Sequence, residues 1–254
     1  MATPSQQAAD QEWVYGLHSV LALLKTEPGR IRELRVLRGR HDQRLNKIRA
    51  LAEQQDIAVV QVSRDELEAL APGNHQGAAA LCSQGEVHDE HFLSALVANL
   101  DHPPLLLVLD GVTDPHNLGA CLRTADACGV DAVIAPKDRS AGITATVRKV
   151  ACGAAETVPF VVVTNLARTL RALQESGLWV VGADGDAPGQ LYSADLKGPL
   201  ALVMGAEGDG MRRLTRDHCD LLVKLPMAGS VSSLNVSVAT GVCLYEAVRQ
   251  RGGL

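Results

Sequence analysis

The chain has 254 residues, of which 46% are apolar, enough for one large or two smaller packed domains, so a soluble globular protein is expected. Its formal net charge of −5 argues at first sight against a nucleic-acid partner. The start of the chain lacks a basic-then-apolar signal and no apolar run approaches the roughly 18 residues of a membrane span, so no membrane partner and a cytoplasmic location are expected. Cys82, Cys121, Cys128, Cys152, Cys219 and Cys243 form no Cys-x-x-Cys pair, which speaks against a zinc knuckle or a disulfide framework and for reduced, mostly core thiols.

Residues 1–12 are polar and patternless and are expected to be a disordered tail. From Trp13 the pattern alternates: helix Gly16 to Lys25, strand Glu33 to Leu37, helix Gln43 to Gln54, strand Ile57 to Val62, helix Arg64 to Leu70 and strand Gly77 to Cys82. Leu45, Ile48, Leu51 and Ala52 share one helix face, and Ser63 with Glu66 has the spacing of a capping box. Residues 13–83 thus read as a small α/β domain. Between Arg30 and Arg49 it carries a local excess of six positive charges, either a solvated helix face or a phosphate-binding surface. Residues 84–104 read as a charged connector with a short helix at His91 to Asn99. There His88 and His91 have a helical metal-ligand spacing, but no third ligand is near, and no metal is expected.

Residues 105–254 form the second expected domain. Strands near Leu105, Ala132, Phe160, Leu178, Leu200 and Leu221 are continuously apolar, the mark of a mostly parallel sheet with helices on both faces. Three of them open onto polar or glycine-rich turns: Asp114-Pro115-His116-Asn117-Leu118-Gly119, Gly205-Ala206-Glu207-Gly208-Asp209-Gly210, and Pro226 to Asn235. In open α/β sheets such strand ends are where ligands bind. A closing helix, about Leu234 to Arg251, brings Val238, Val242, Tyr245 and Val248 to overlapping faces that suit the sheet or a second subunit.

The ordered pattern Asn117-x-Gly119-x-x-x-Arg123-Thr124-Ala125, then Gly205-Ala206-Glu207-Gly208, then Pro226-Met227 through Ser232-Ser233-Leu234-Asn235-Val236-Ser237 resembles the three signature blocks of the SpoU/TrmH family, RNA ribose 2′-O-methyltransferases of the SPOUT class. The likeness extends through Asp110 to Asn117, Lys149 to Glu156 and the front domain, and is strongest to members acting on a guanosine of 23S ribosomal RNA. It implies a trefoil knot in the second domain, which general topology rules would not predict. It also implies a homodimer, S-adenosyl-L-methionine as methyl donor, and 23S ribosomal RNA as partner of the front domain, which turns the basic cluster, in particular Arg35, Arg38, Arg40 and Arg44, towards RNA.

Methylating a ribose hydroxyl needs a donor held in line with the oxygen and a route for the hydroxyl proton. By the resemblance, backbone around Gly205, Leu225 and Leu234 cradles the donor, Pro226 and Met227 shape its adenine slot, and Ser233 belongs to the same set. Arg123 takes the central catalytic place. A guanidinium pKa above about 12 makes proton abstraction costly, so its expected role is to bind the phosphate beside the target ribose. Glu207 is the expected partner for Arg123 or a substrate hydrogen bond, and Asn117 and Asn235 supply amide donors and acceptors. Gly205 is read as letting the loop's backbone approach the ligand without a Cβ in the way.

Other readings stay open at this level: methylation of another ribosomal or transfer RNA nucleotide, a non-catalytic ribosome-binding module, and a nucleotide-binding oxidoreductase. The last expects Gly-x-Gly-x-x-Gly after the first strand, where this chain has Asp114-Pro115-His116-Asn117. Seven aromatic residues in the chain are too few for a base-stacking platform.

Overall fold

The computed structural model describes residues 11–40, 42–72, 75–83, 85 and 87–252. The chain divides into two compact units. The first comprises the described residues up to Gly85 together with Arg148–Thr157, and the second comprises Val87–Val147 and Val158 onward.

In the first unit, β1 (Gln11–Tyr15), α1 (Leu17–Thr26), β2 (Ile31–Leu37), α2 (Gln43–Gln54), β3 (Val59–Val62), α3 (Arg64–Leu70) and β4 (Ala78–Ser83) build a four-stranded sheet in the order β1-β4-β2-β3. Only β2 and β3 run parallel. Leu45, Ile48 and Ala52 of α2 enter a core with Val20, Leu23 and Leu24 of α1, as the 3.6-residue period predicts. Asp42 caps α2, accepting from Arg44 N and Leu45 N, both at 3.1 Å. The Ser63–Glu66 capping box forms in both directions, at 2.7 and 3.2 Å. The expected tail is corrected at its end: Gln11 and Glu12 are strand residues, paired with Ser83 and Cys82. The remainder of that tail, residues 1–10, lies outside the described residues. Strand β1 escaped the sequence because its partner β4 is distant in the chain.

The same unit takes in the 3₁₀ turn Ala154–Glu156. The Glu156 side chain, 1% exposed, receives the guanidinium of Arg148 and, at 3.5 Å, that of Arg30. Arg148 and Arg30 also share Glu12, at 2.8 and 3.3 Å. Breaking a buried ion network by removing one member leaves uncompensated charge and costs about 3–5 kcal/mol. Glu156→Ala is therefore expected to lower the unfolding free energy of this unit by that amount, read from Trp13 fluorescence in urea. A loss below about 1 kcal/mol, the scale of surface pairs, contradicts the network.

The second unit is a seven-stranded, wholly parallel sheet. Its elements in chain order are α4 (Glu90–Asn99), β5 (Leu105–Asp110), α5 (Pro115–Ala127), β6 (Ala132–Pro136), the start of α6 (Ala145–Ala151), β7 (Phe160–Val163), α7 (Leu166–Glu175), β8 (Trp179–Ala183), β9 (Gly189–Gln190), β10 (Leu200–Gly205), α8 (Arg213–Asp217), β11 (Leu221–Lys224) and α9 (Val236–Gln250). The strand order is β7-β6-β5-β10-β8-β11-β9. All residues of β5 and β6 are buried, as continuous apolar runs require of strands covered on both faces. The stretch expected as a connector contributes to this unit. Leu93 of α4 joins its core, His88 bridges to Val161 of β7, and Thr164 N and Oγ1 both donate to Glu90 at 2.8 Å. Those two bonds to the charged form hold the Glu90 carboxyl below its usual range.

Candidate active site

Strands β5 and β10 lie side by side in register, so that Asp110 stands opposite Gly205 and the first two signature blocks leave the sheet together. After Asp110 the chain turns into α5, whose cap is Asp114, accepting from His116 N at 2.8 Å, with Pro115 in the first turn. This start buries Asn117 and leaves Arg123 exposed. After Gly205 the chain makes a tight loop closed by two bonds, Ala206 N to Gly210 O at 3.0 Å and Gly210 N to Ala206 O at 3.1 Å.

The third block returns from β11 and ends at Asn235, the cap of α9, whose Oδ1 accepts from Ser237 N at 3.0 Å. Its Nδ2 donates to Asn117 Oδ1 at 3.0 Å and also to Glu207 Oε1. Val236 N donates to the same Glu207 oxygen at 3.3 Å. One asparagine thus joins all three blocks, and the carboxylate of Glu207 sits at the N-terminal end of α9, where the helix dipole favours negative charge.

Beside this junction lies a cleft of about 620 Å³, the size of a small-molecule site. Of the residues expected at a donor site, Gly205, Leu225, Met227, Ser233 and Leu234 line it, together with Glu207 and Asn235. Pro226, Asn117 and Arg123 do not; Pro226 is exposed beside the cleft. Arg123 forms no hydrogen bond or ion pair among the described residues. The expected Glu207–Arg123 pairing is therefore replaced by the bonds to Asn235 and Val236. Gly205 is also corrected: a Cβ there would overlap the backbone of Gly210 and Met211, with Gly210 O at 2.7 Å, so the missing side chain makes room for the loop itself.

The cleft holds two acids that sequence reasoning missed, Asp184 and Asp186, which follow β8 in a strand-end Asp-Gly-Asp turn of the kind that marked the other blocks. With Glu207 and Asp209 they outnumber the basic lining residues Arg216 and Lys224, and Asp184 pairs with Arg216 at 3.2 Å. The lining is therefore net acidic.

The basic cluster of the first unit is less free than its sequence implies. Arg35 pairs with Glu33 and lies 5.4 Å over the ring of Trp13, while Arg40 pairs with Asp42 and donates to Gln76 O at 2.7 Å. Arg38 and Arg44 are exposed and form no ion pair among the described residues. Among the described residues no cluster of three or more His, Cys, Asp or Glu could hold a metal, and His88 instead stacks on Phe92 at 3.7 Å. Burial pushes the Cys243 and Cys219 thiols up to about 12, which keeps them protonated and unreactive.

A parallel α/β sheet with three conjoined motif loops, two of which line a net acidic cleft, defines the class of protein. The chain belongs to the SpoU rRNA Methylase family, whose model matches residues 104–245; residues 13–87 match the model described as RNA 2′-O ribose methyltransferase substrate binding. It is 61% identical over 240 residues to the 23S rRNA (guanosine-2′-O-)-methyltransferase RlmB of Pseudomonas putida, covering 94% of this chain and 97% of that one. Its identity to the protein of the same name from Pseudomonas aeruginosa is 62% over the same shares. Among solved structures it is similar to the SpoU methyltransferase AviRb from Streptomyces viridochromogenes in complex with the cofactor AdoMet. That match has a TM-score of 0.79 and 25% identity, covering 100% of this chain and 95% of that one.

Proposed function

We propose that the protein transfers a methyl group from S-adenosyl-L-methionine to the ribose 2′-hydroxyl of a guanosine in 23S ribosomal RNA. The observation that carries this reading is the convergence of the three blocks on Asn235 at the edge of a net acidic cleft. The cleft fits the donor by charge and by surface: four carboxylates against two basic side chains suit a sulfonium cation, and the glycine loop exposes backbone groups for a polar ligand. The donor supplies the electrophilic methyl carbon. This chain's residues do the rest. Glu207, Asn235 and the backbone of the late loops hold and orient the donor, and Asn117 fixes the amide of Asn235. Arg123 binds the phosphate next to the target ribose and favours the ionised hydroxyl by its charge, the hydroxyl proton passing to water as the oxygen takes the methyl group.

In a single chain Arg123 lies outside the cleft, which supports a homodimer in which it serves the partner's site. Val238 and Tyr245, 52% and 44% exposed and two helical turns apart on α9, supply an apolar stripe for such an isologous contact. The threading of a knot belongs to the same reading, supported by β10 lying between β5 and β8 and by the chain after β11 returning to Glu207. We take residues 13–83 as the part that chooses the RNA, residues 105–254 as the methyltransferase, and the cytoplasm as its location.

The test of this function is transfer of labelled methyl from S-adenosylmethionine to 23S RNA, with the labelled ribose mapped. Label on a different RNA overturns the substrate, and no label with retained ribosome binding favours a non-catalytic module.

The first unit's RNA role has its own expected result. Replacing Arg38 and Arg44 by glutamine should flatten the log–log salt dependence of RNA binding by about 1.4 to 1.8, two phosphate contacts' worth. The same change at Arg35 and Arg40 should flatten it less, because Glu33 and Asp42 already meet their charge. Equal slopes in both double variants contradict this division.

A further inference from the structure

We propose that Asp110 is a positioning residue of the donor site, acting through Arg212 to hold the glycine-rich loop open and in place before the donor arrives. Asp110 ends β5, and its side chain is fully buried. A buried carboxylate needs a full set of donors, and among the described residues all of them come from one residue 102 positions away: Arg212 N donates to Oδ2 at 2.9 Å, and Nε and Nη2 lie 2.6 Å from Oδ1. Across the sheet Asp110 stands in register with Gly205, where the loop begins, and Arg212 is where the loop ends. The carboxylate therefore fixes the exit of the loop against the strand beside its entrance.

The loop needs such an anchor. Gly208 and Gly210 hold left-handed backbone, with φ of +82° and +67°, and glycine gains the most conformational freedom when released. Between its ends the loop is closed on itself by the Ala206–Gly210 bonds and an Asp209 N to Glu207 O contact at 3.0 Å, and it is tied outward through Glu207 to Asn235 and Val236. It presents Glu207 to Asn235 and lines the cleft from Gly205 to Met211. An unanchored loop must be ordered by the donor itself, which weakens donor binding and leaves the chemical step, once the donor is bound, nearly as before. Charge-assisted bonds of a carboxylate to an arginine fork are the strong class of hydrogen bond, which suits them to this task.

This inference rests on the donor reading above. The experiment is calorimetric titration of S-adenosylmethionine into the wild-type protein and into Asp110→Asn, Arg212→Leu and Arg212→Lys, with donor KM and kcat measured on 23S RNA. Asp110→Asn is expected to weaken donor Kd and raise donor KM by about ten- to a hundredfold, with the change in KM rather than in kcat. Arg212→Leu keeps the backbone bond and should lose about three- to tenfold, and Arg212→Lys should recover part of it through a single charged contact. Arg212→Leu leaves the buried Asp110 carboxylate with its backbone bond alone, so the double variant Asp110→Asn with Arg212→Leu, which buries no unpaired charge and should weaken donor binding at least as much as Asp110→Asn, carries the test if a single variant does not fold. A merely structural role would lower the number of binding-competent molecules and leave the affinity of each unchanged. Wild-type binding with Kd and KM within about twofold in the folded variants, well below the loss of a charge-assisted bond, overturns the clamp alone. Absence of donor binding to the wild type overturns the donor reading and the clamp with it.

Discussion

Replacing Arg123 by alanine is expected to slow single-turnover methyl transfer by about 10² to 10⁴-fold, the range of a positioning or proton-transfer group, with donor affinity nearly intact. The separation follows from geometry. Arg123 is exposed on α5, lies outside the cleft, and has no intrachain partner among the described residues, so its removal disturbs neither the loop nor the Asn235 junction. A rate within a few-fold of wild type removes the residue from the mechanism. If Arg123 serves the site of a second subunit, mixing Arg123→Ala with Glu207→Ala protein restores one intact site in each mixed dimer. Equal mixing then recovers about a quarter of wild-type activity, since half of randomly formed dimers are mixed and each has one working site. No recovery, or a monomer by light scattering, ends the shared-site proposal.

Gly205→Ala is expected to weaken donor binding by about tenfold or more, the scale of losing one or more hydrogen bonds to the ligand. The added Cβ meets backbone atoms of Gly210 and Met211, which no rotamer change can move aside. The strand end and the loop's return must separate, breaking the Ala206–Gly210 bonds and shifting Glu207 away from Asn235. The all-buried strands β5 and β6 stay packed, so circular dichroism should still report a folded sheet while calorimetry reports the lost affinity. Wild-type affinity in folded Gly205→Ala takes this loop out of the donor site.

The sequence by itself determined the features that depend on near neighbours along the chain. Continuous apolar runs announced strands covered on both faces, a 3.6-residue period announced the buried face of α2, and Ser63 with Glu66 announced a helix start, because each signal lies within a few residues. The three motif blocks were legible for the same reason, each being a strand end and its turn. Where those turns meet was not. Asn235 reaches Asn117 across 118 positions, and Arg212 reaches Asp110 across 102. The order of strands in the sheet decides both meetings. The tertiary structure alone also placed Arg148–Thr157 in the first unit and paired β1 with β4. A sequence counts charges and local patterns, whereas a side chain's partner depends on which distant segment packing brings within hydrogen-bond reach.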